Sequence, residues 1–181
     1  MTEPNIYLRI KHILVFLLLV LTGCSSVQVV EVVDVAPQTT LEEKELNFQI
    51  FDIRNCQNKT SELKTTLAAV APVRQQIVFE GKAISTDSGD SIDIPPNIQT
   101  QLEAKIENEY KQAYQQAKSN AEQVDLIIPP FGIRMYEVQW MQQVASSTID
   151  FEMEGQSFTT AFTYQLEFPT LVGFREMACT A

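Results

Sequence analysis

The chain has 181 residues, of which 23 are acidic and 13 are Lys or Arg, so its net charge is −10. An acidic surface repels phosphate backbones, which excludes nucleic acid as a partner. The length suffices for one domain with a hydrophobic core but not for the two lobes of a solute-binding protein. Hydrophobic residues make up 45% of the chain, and this share excludes general disorder.

The N-terminal segment has the organisation of an export signal. A basic stretch at residues 9–12 precedes the entirely apolar residues 13–21, and small residues follow before Cys24. The sequence Leu21-Thr22-Gly23-Cys24 resembles the lipobox of bacterial lipoproteins, a resemblance that covers residues 1–25 only. It implies that residues 1–23 are removed as a signal peptide and that Cys24 carries acyl chains such as palmitate. It further implies a protein held on the cell membrane by this lipid, facing outside the cytoplasm.

Two other interpretations of this segment remain open. One is an uncleaved transmembrane anchor, which needs about 20 consecutive apolar residues, whereas residues 13–21 supply nine. The other is a chance match of the tetrapeptide in a soluble protein.

Loss of residues 1–23 would change the chemistry that the chain can perform. It removes Glu3, Arg9, Lys11 and His12, so the net charge becomes −11 and no histidine remains. Without histidine the chain cannot form a Ser-His-Asp or Cys-His relay, and zinc or copper sites are disfavoured. The sequence therefore predicts no metal and no cofactor.

Residues 24–45 are predicted to form a tether between the lipid and the domain. The valine-rich residues 27–35 alternate imperfectly and suit either a strand or an extended tether. Residues 36–40 and the charged residues 42–45 have the composition of a linker. A single domain is therefore predicted over residues 46–181.

The first half of this domain has the pattern of short strands. Apolar residues alternate with polar ones over 46–53 and 76–84, and a weaker apolar segment covers 63–70. Residues 86–90 have turn composition, and residues 91–94 are predicted to return as a short strand.

One long amphipathic helix is predicted over about residues 97–124. Apolar residues recur there at steps of three and four, and Pro129-Pro130 follows. The stripe is expected to pack on the domain's own sheet, with a coiled coil as the alternative. Its members are Ile98, Leu102, Ile106, Tyr110, Ala113, Ala117, Ala121 and Val124.

The last third is predicted to be antiparallel β-structure. Residues 133–142 alternate as one strand, and residues 148–153 and 157–168 flank the Gly-containing loop 154–156 as a hairpin. The predicted fold class is therefore α+β, mainly antiparallel sheet with one long helix.

Cys56 and Cys179 lie near the two ends of the predicted domain. In an exported protein two remaining cysteines most often pair, so a disulfide is predicted. Two free thiols, or a nucleophilic thiol without a histidine base, are the alternatives.

Two further groups of residues are candidate binding sites. Asp87, Asp90 and Asp93 recur at steps of three and suit either a weak ion site or a solvated acidic turn. Four aromatic side chains could line a sugar- or ligand-binding face, although such residues usually belong to the core. They are Tyr110, Tyr114, Tyr136 and Trp140.

The sequence favours a non-catalytic binding or structural module of the cell envelope, tethered to the membrane through Cys24. A protein or glycan outside the cytoplasm is the expected partner. The alternative is a hydrolase that works through two carboxylates. Its candidate acids are Glu137, Glu152 and Glu167, which no motif connects.

Overall fold

The computed structural model describes residues 31–35 and 42–180. Nothing in these ranges is a helix long and apolar enough to cross a membrane. The elements are β1 (Glu31–Val35), β2 (Glu42–Arg54), β3 (Leu63–Thr66), α1 (Leu67–Val70), β4 (Arg74–Ser85), β5 (Ser91–Ile92), α2 (Pro96–Glu109), α3 (Lys111–Glu122), β6 (Asp125–Ile128), β7 (Gly132–Met153) and β8 (Gln156–Ala178).

A long antiparallel hairpin of β7 and β8 forms the frame of the fold. The predicted hairpin is confirmed, and its strands of 22 and 23 residues pair along their whole length. Glu154 and Gly155 make the turn with φ of 56° and 76°, the left-handed values that tight hairpin turns require. At about 3.3 Å per residue, β7 is about 70 Å long.

Strands β1 and β2 pair with successive segments of the same edge of β7. β1 lies opposite residues 149–152, and β2 lies opposite residues 133–144. Both therefore overlap the predicted tether, and the predicted domain start at Leu46 falls inside β2. The composition of residues 42–45 suggested a linker. The same charged side chains also suit an exposed edge strand, where they stay in solvent.

The other edge of the hairpin carries β4, which pairs with β8 and in turn with the short β5. A separate two-stranded antiparallel sheet consists of β3 and β6. The α+β, β-rich character of the prediction is thus confirmed. Strand β6 was missed because it has only four residues, which lie between the end of the predicted helix and Pro129.

Two hydrophobic cores cover opposite faces of the β7–β8 ribbon. Side chains alternate along a strand, which places Ala145 and Ile149 on one face and Val138 and Trp140 on the other. The first group belongs to a helix-side core with α2 and β4, and the second belongs to a small-sheet core with α1 and β6, against which part of β2 packs. The hairpin is therefore the single element that both cores share.

The predicted single helix over 97–124 is wrong. Tyr110, with φ −89° and ψ 6°, separates α2 from α3, and the helical structure ends at Glu122. Tyr110 is only 1% exposed, and its ring stacks on Tyr164 with a centroid distance of 4.1 Å. Beyond this point α3 packs against α1 as well as β8. Helical periodicity alone does not reveal this break, because the apolar stripe continues across Tyr110 at the same steps, and the i, i+4 hydrogen bond from the Tyr114 amide to the Tyr110 carbonyl is kept at 3.1 Å.

Candidate functional site

Cys24, the predicted lipidation site, lies outside the described residues, as does the rest of the lipobox resemblance. Its acylation and the membrane attachment that it implies remain predictions.

The predicted disulfide is present. Cys56 and Cys179 are bonded, with their Cα atoms 5.7 Å apart. Cys56 follows β2 and Cys179 follows β8, so the bond joins the two strands that flank the beginning of β7. Beside it the buried Asn55 donates its side-chain amide to the carbonyl oxygens of Ser61 at 2.8 Å and Pro129 at 3.1 Å. The two cysteines therefore form a structural disulfide, and neither has a free thiol that could act as a nucleophile.

The structure does not bring the three candidate acids together. Glu137 forms an ion pair with Arg175 at 3.1 Å. Glu152 lies 15 positions further along β7, which is about 50 Å of extended strand. Glu167 pairs with Gln142, so alternation places it on the opposite face from Glu137. No two of these carboxylates share a pocket.

The three aspartates of the turn region also stay apart. All are exposed, and Asp93 lies 3.5 Å from the ammonium group of Lys82. Within residues 31–35 and 42–180, no three His, Cys, Asp or Glu side chains gather as a metal ion would require.

The four aromatic candidates do not form one face. Tyr110 belongs to the helix-side core and Tyr114 lies at its margin, whereas Tyr136 and Trp140 belong to the small-sheet core. Trp140 donates its indole N–H to Gln49 at 3.0 Å and lies under the guanidinium group of Arg74. Only Tyr114 remains as a partly exposed aromatic side chain beside a cleft.

This cleft lies where α2 meets α3 and is called the junction cleft below. It has a volume of about 400 Å³ and is open to solvent. All but one of its lining side chains carry a polar group, namely three amides, one carboxylate, two ammonium groups and one phenol. The residues are Gln75, Ala104, Glu107, Asn108, Lys111, Tyr114, Gln115 and Lys118.

Two buried tyrosines support the floor of the junction cleft. Tyr164, which is fully buried, donates its hydroxyl to Oε1 of Gln75 at 3.4 Å. Burial raises the pKa of Tyr164 to about 12, and the negative charge of Glu107 adds to this effect. Burial likewise raises the pKa of Tyr110, with a smaller contribution from Glu109. Both hydroxyls are therefore neutral at physiological pH, and that of Tyr110 has no hydrogen-bond partner in the structure.

A second groove, of about 320 Å³, lies on the other side of Gln75 and is lined by Arg74, Gln76, Gln165 and Glu167. Two of its polar groups already accept hydrogen bonds from a residue outside the groove, since the amide of Gln142 donates to Gln165 at 3.3 Å and to Glu167 at 3.5 Å. It is therefore the weaker of the two candidates.

The sequence contains one signal for the junction cleft, the spacing of Tyr110 and Tyr114, but not the break between the helices that opens it. Comparisons with protein families, curated proteins and solved structures found no match to this chain.

Proposed function

We propose that this chain is a lipoprotein of the bacterial cell envelope, held on a membrane through Cys24, whose domain is a non-catalytic binding or structural module. A protein or glycan outside the cytoplasm would be its partner. The observation that carries this proposal is the disulfide between Cys56 and Cys179.

Structural disulfides persist in oxidising compartments and are rare in the cytosol. The bond thus agrees with the export signal that the N-terminal sequence resembles. It also accounts for both cysteines of the domain and leaves Cys24 as the one cysteine available for acylation. A multiply acylated cysteine would hold the protein on a membrane, because each buried methylene contributes about 0.8 kcal/mol and more than one chain is needed for stable attachment.

The separation of the candidate carboxylates supports the non-catalytic part of the proposal. Glu137 is engaged by Arg175, and Glu152 and Glu167 lie at different positions along the hairpin. A pair of acids about 5–10 Å apart, as glycoside hydrolysis uses, is not formed by these three residues.

The test is metabolic labelling with a fatty acid, followed by membrane fractionation and intact mass measurement. The native chain should begin at Cys24 and carry acyl chains, and Cys24→Ala should remain an unlabelled precursor that still contains residues 1–23. Cys179→Ser is the matched control, because it loses the disulfide and should still be acylated. If Cys24→Ala matures at the same site and still fractionates with membranes, the proposal is wrong.

A further inference from the structure

We infer that the junction cleft binds an oligosaccharide, with one sugar ring against Tyr114 and its hydroxyl groups held by Gln75, Glu107, Asn108 and Gln115. This inference rests on the binding role proposed above and names the chemical class of the ligand.

The lining has the functional groups that sugars need. Amide side chains both donate and accept hydrogen bonds, and a carboxylate accepts them, so together they can match the neighbouring hydroxyl groups of a pyranose ring. Tyr114 supplies an apolar ring face for the C–H face of the sugar, and its hydroxyl can remain hydrated. The volume of about 400 Å³ falls within the usual range for ligand sites.

These polar groups are also uncommitted, unlike their neighbours on the same helices. Elsewhere on α2 and α3, polar side chains pair at i, i+4, as Gln99 does with Glu103 at 2.9 Å and Gln116 with Asn120 at 2.9 Å. In the described part of the chain, no hydrogen bond or ion pair engages the side chains that line the centre of the cleft. They are Glu107, Asn108, Lys111 and Gln115.

Glu107 and Lys111 lie on either side of the break at Tyr110, and no ion pair joins them. Both groups instead border the cleft and can meet a ligand.

Other ligand classes fit this lining less well. An apolar peptide would leave the polar ends of these side chains without hydrogen-bond partners, because only Ala104 lacks a polar group. A phosphate would meet Lys111 alone, because Lys118 lies 3.9 Å from Glu122 and Glu107 repels anions. A neutral or N-acetylated sugar has neither difficulty.

The experiment is calorimetric titration of the full mature chain, purified from membranes in detergent. The probes are a tetramer of β-1,4-linked N-acetylglucosamine and the corresponding tetramer of glucose. We expect saturable binding of at least one tetramer. Loss of the hydrogen bonds of one side chain by Glu107→Ala or Gln115→Ala should weaken binding roughly three- to tenfold, and Tyr114→Ala should weaken it about tenfold or more.

Gln99→Ala and Gln116→Ala are matched controls on the same helices and should bind like the native chain. Circular dichroism separates a loss of binding from a loss of folding for the half-buried Tyr114, while Glu107 and Gln115 are exposed. Absence of binding to both tetramers overturns the inference, as does equal binding by the cleft variants and the controls. Binding of inorganic phosphate that Lys111→Ala abolishes and Glu107→Gln strengthens would also overturn it.

The two proposals can fail separately. Saccharide binding by a chain that is never acylated would remove the lipoprotein proposal alone. An acylated chain that binds neither tetramer would remove this inference alone.

Discussion

At the scale of single residues, Tyr164 links pH to stability. Its pKa is about 12 in the folded protein and about 10 in an unfolded chain, so the folded state holds the proton more tightly. The stability that this group contributes is complete below about pH 10 and is lost as the pH rises towards 12. Denaturant titrations from pH 8 to 12 should show a steeper loss for the native chain than for Tyr164→Phe. Parallel curves would contradict the burial of this hydroxyl.

Gly132, at the start of β7, occupies a position with no room for a side chain. A Cβ atom there would lie 2.6 Å from Cγ of Pro129 and 3.2 Å from its carbonyl oxygen. Gly132→Ala should therefore reduce the free energy of unfolding by about 1–3 kcal/mol, the usual cost of overpacking. Gly173→Ala is the control, because a Cβ atom at that position meets nothing within 4 Å. Equal unfolding midpoints for the two variants would show that the turn around Pro129 moves aside for the added methyl group without a measurable loss of stability.

At the scale of elements, the buried apolar residues of α2 stabilise its packing on the sheet. Ile98, Leu102 and Ile106 are fully buried in the helix-side core, so the domain's own sheet covers this part of the predicted stripe. Ile106→Asp would bury an unpaired carboxylate and should cost more than about 4 kcal/mol, enough to unfold the domain. Circular dichroism and size-exclusion chromatography would measure this, with the exposed Lys105→Asp as control. A folded Ile106→Asp variant would contradict the packing described here.

The elements also show which structure could be predicted from sequence and which could not. β4 and the β7–β8 hairpin could be predicted because apolar and polar residues alternate along a strand that is buried on one face only. The break at Tyr110 was not, because local periodicity carries no information about the contact that Tyr110 makes there, its stacking on Tyr164, a residue 54 positions later. β1 was left open between a strand and a tether, and the start of β2 was missed, because an edge strand has little apolar pattern and its pairing depends on β7. The junction cleft depends on the same break, so only its tyrosines could be found in advance.

At the scale of the whole molecule, the disulfide closes most of the domain into one loop. Cys56 and Cys179 are 123 positions apart, and constraint of so long a loop in the unfolded chain contributes roughly 4–5 kcal/mol. Reduction, or the double change Cys56→Ser and Cys179→Ser, should lower the thermal midpoint by roughly 10 °C. Differential scanning calorimetry would measure this, and thiol titration of the folded native domain should detect neither cysteine. An unchanged midpoint would mean that the unfolded chain is already compact.

The pairing of β1 with the end of β7 gives the molecule a base and a tip. Glu31 lies opposite Glu152, beside the hairpin turn, and it is only seven positions after Cys24, a reach of at most about 24 Å. If Cys24 is acylated, the hairpin turn lies near the lipid, and the disulfide end can lie at most about 70 Å further out, the extended length of β7. Tyr164 pairs with Ala145, which puts the junction cleft at most about 25 Å along the hairpin from its turn. Any glycan that it holds must then run within about 50 Å of the bilayer, whereas a partner at the disulfide end could be met almost twice as far out.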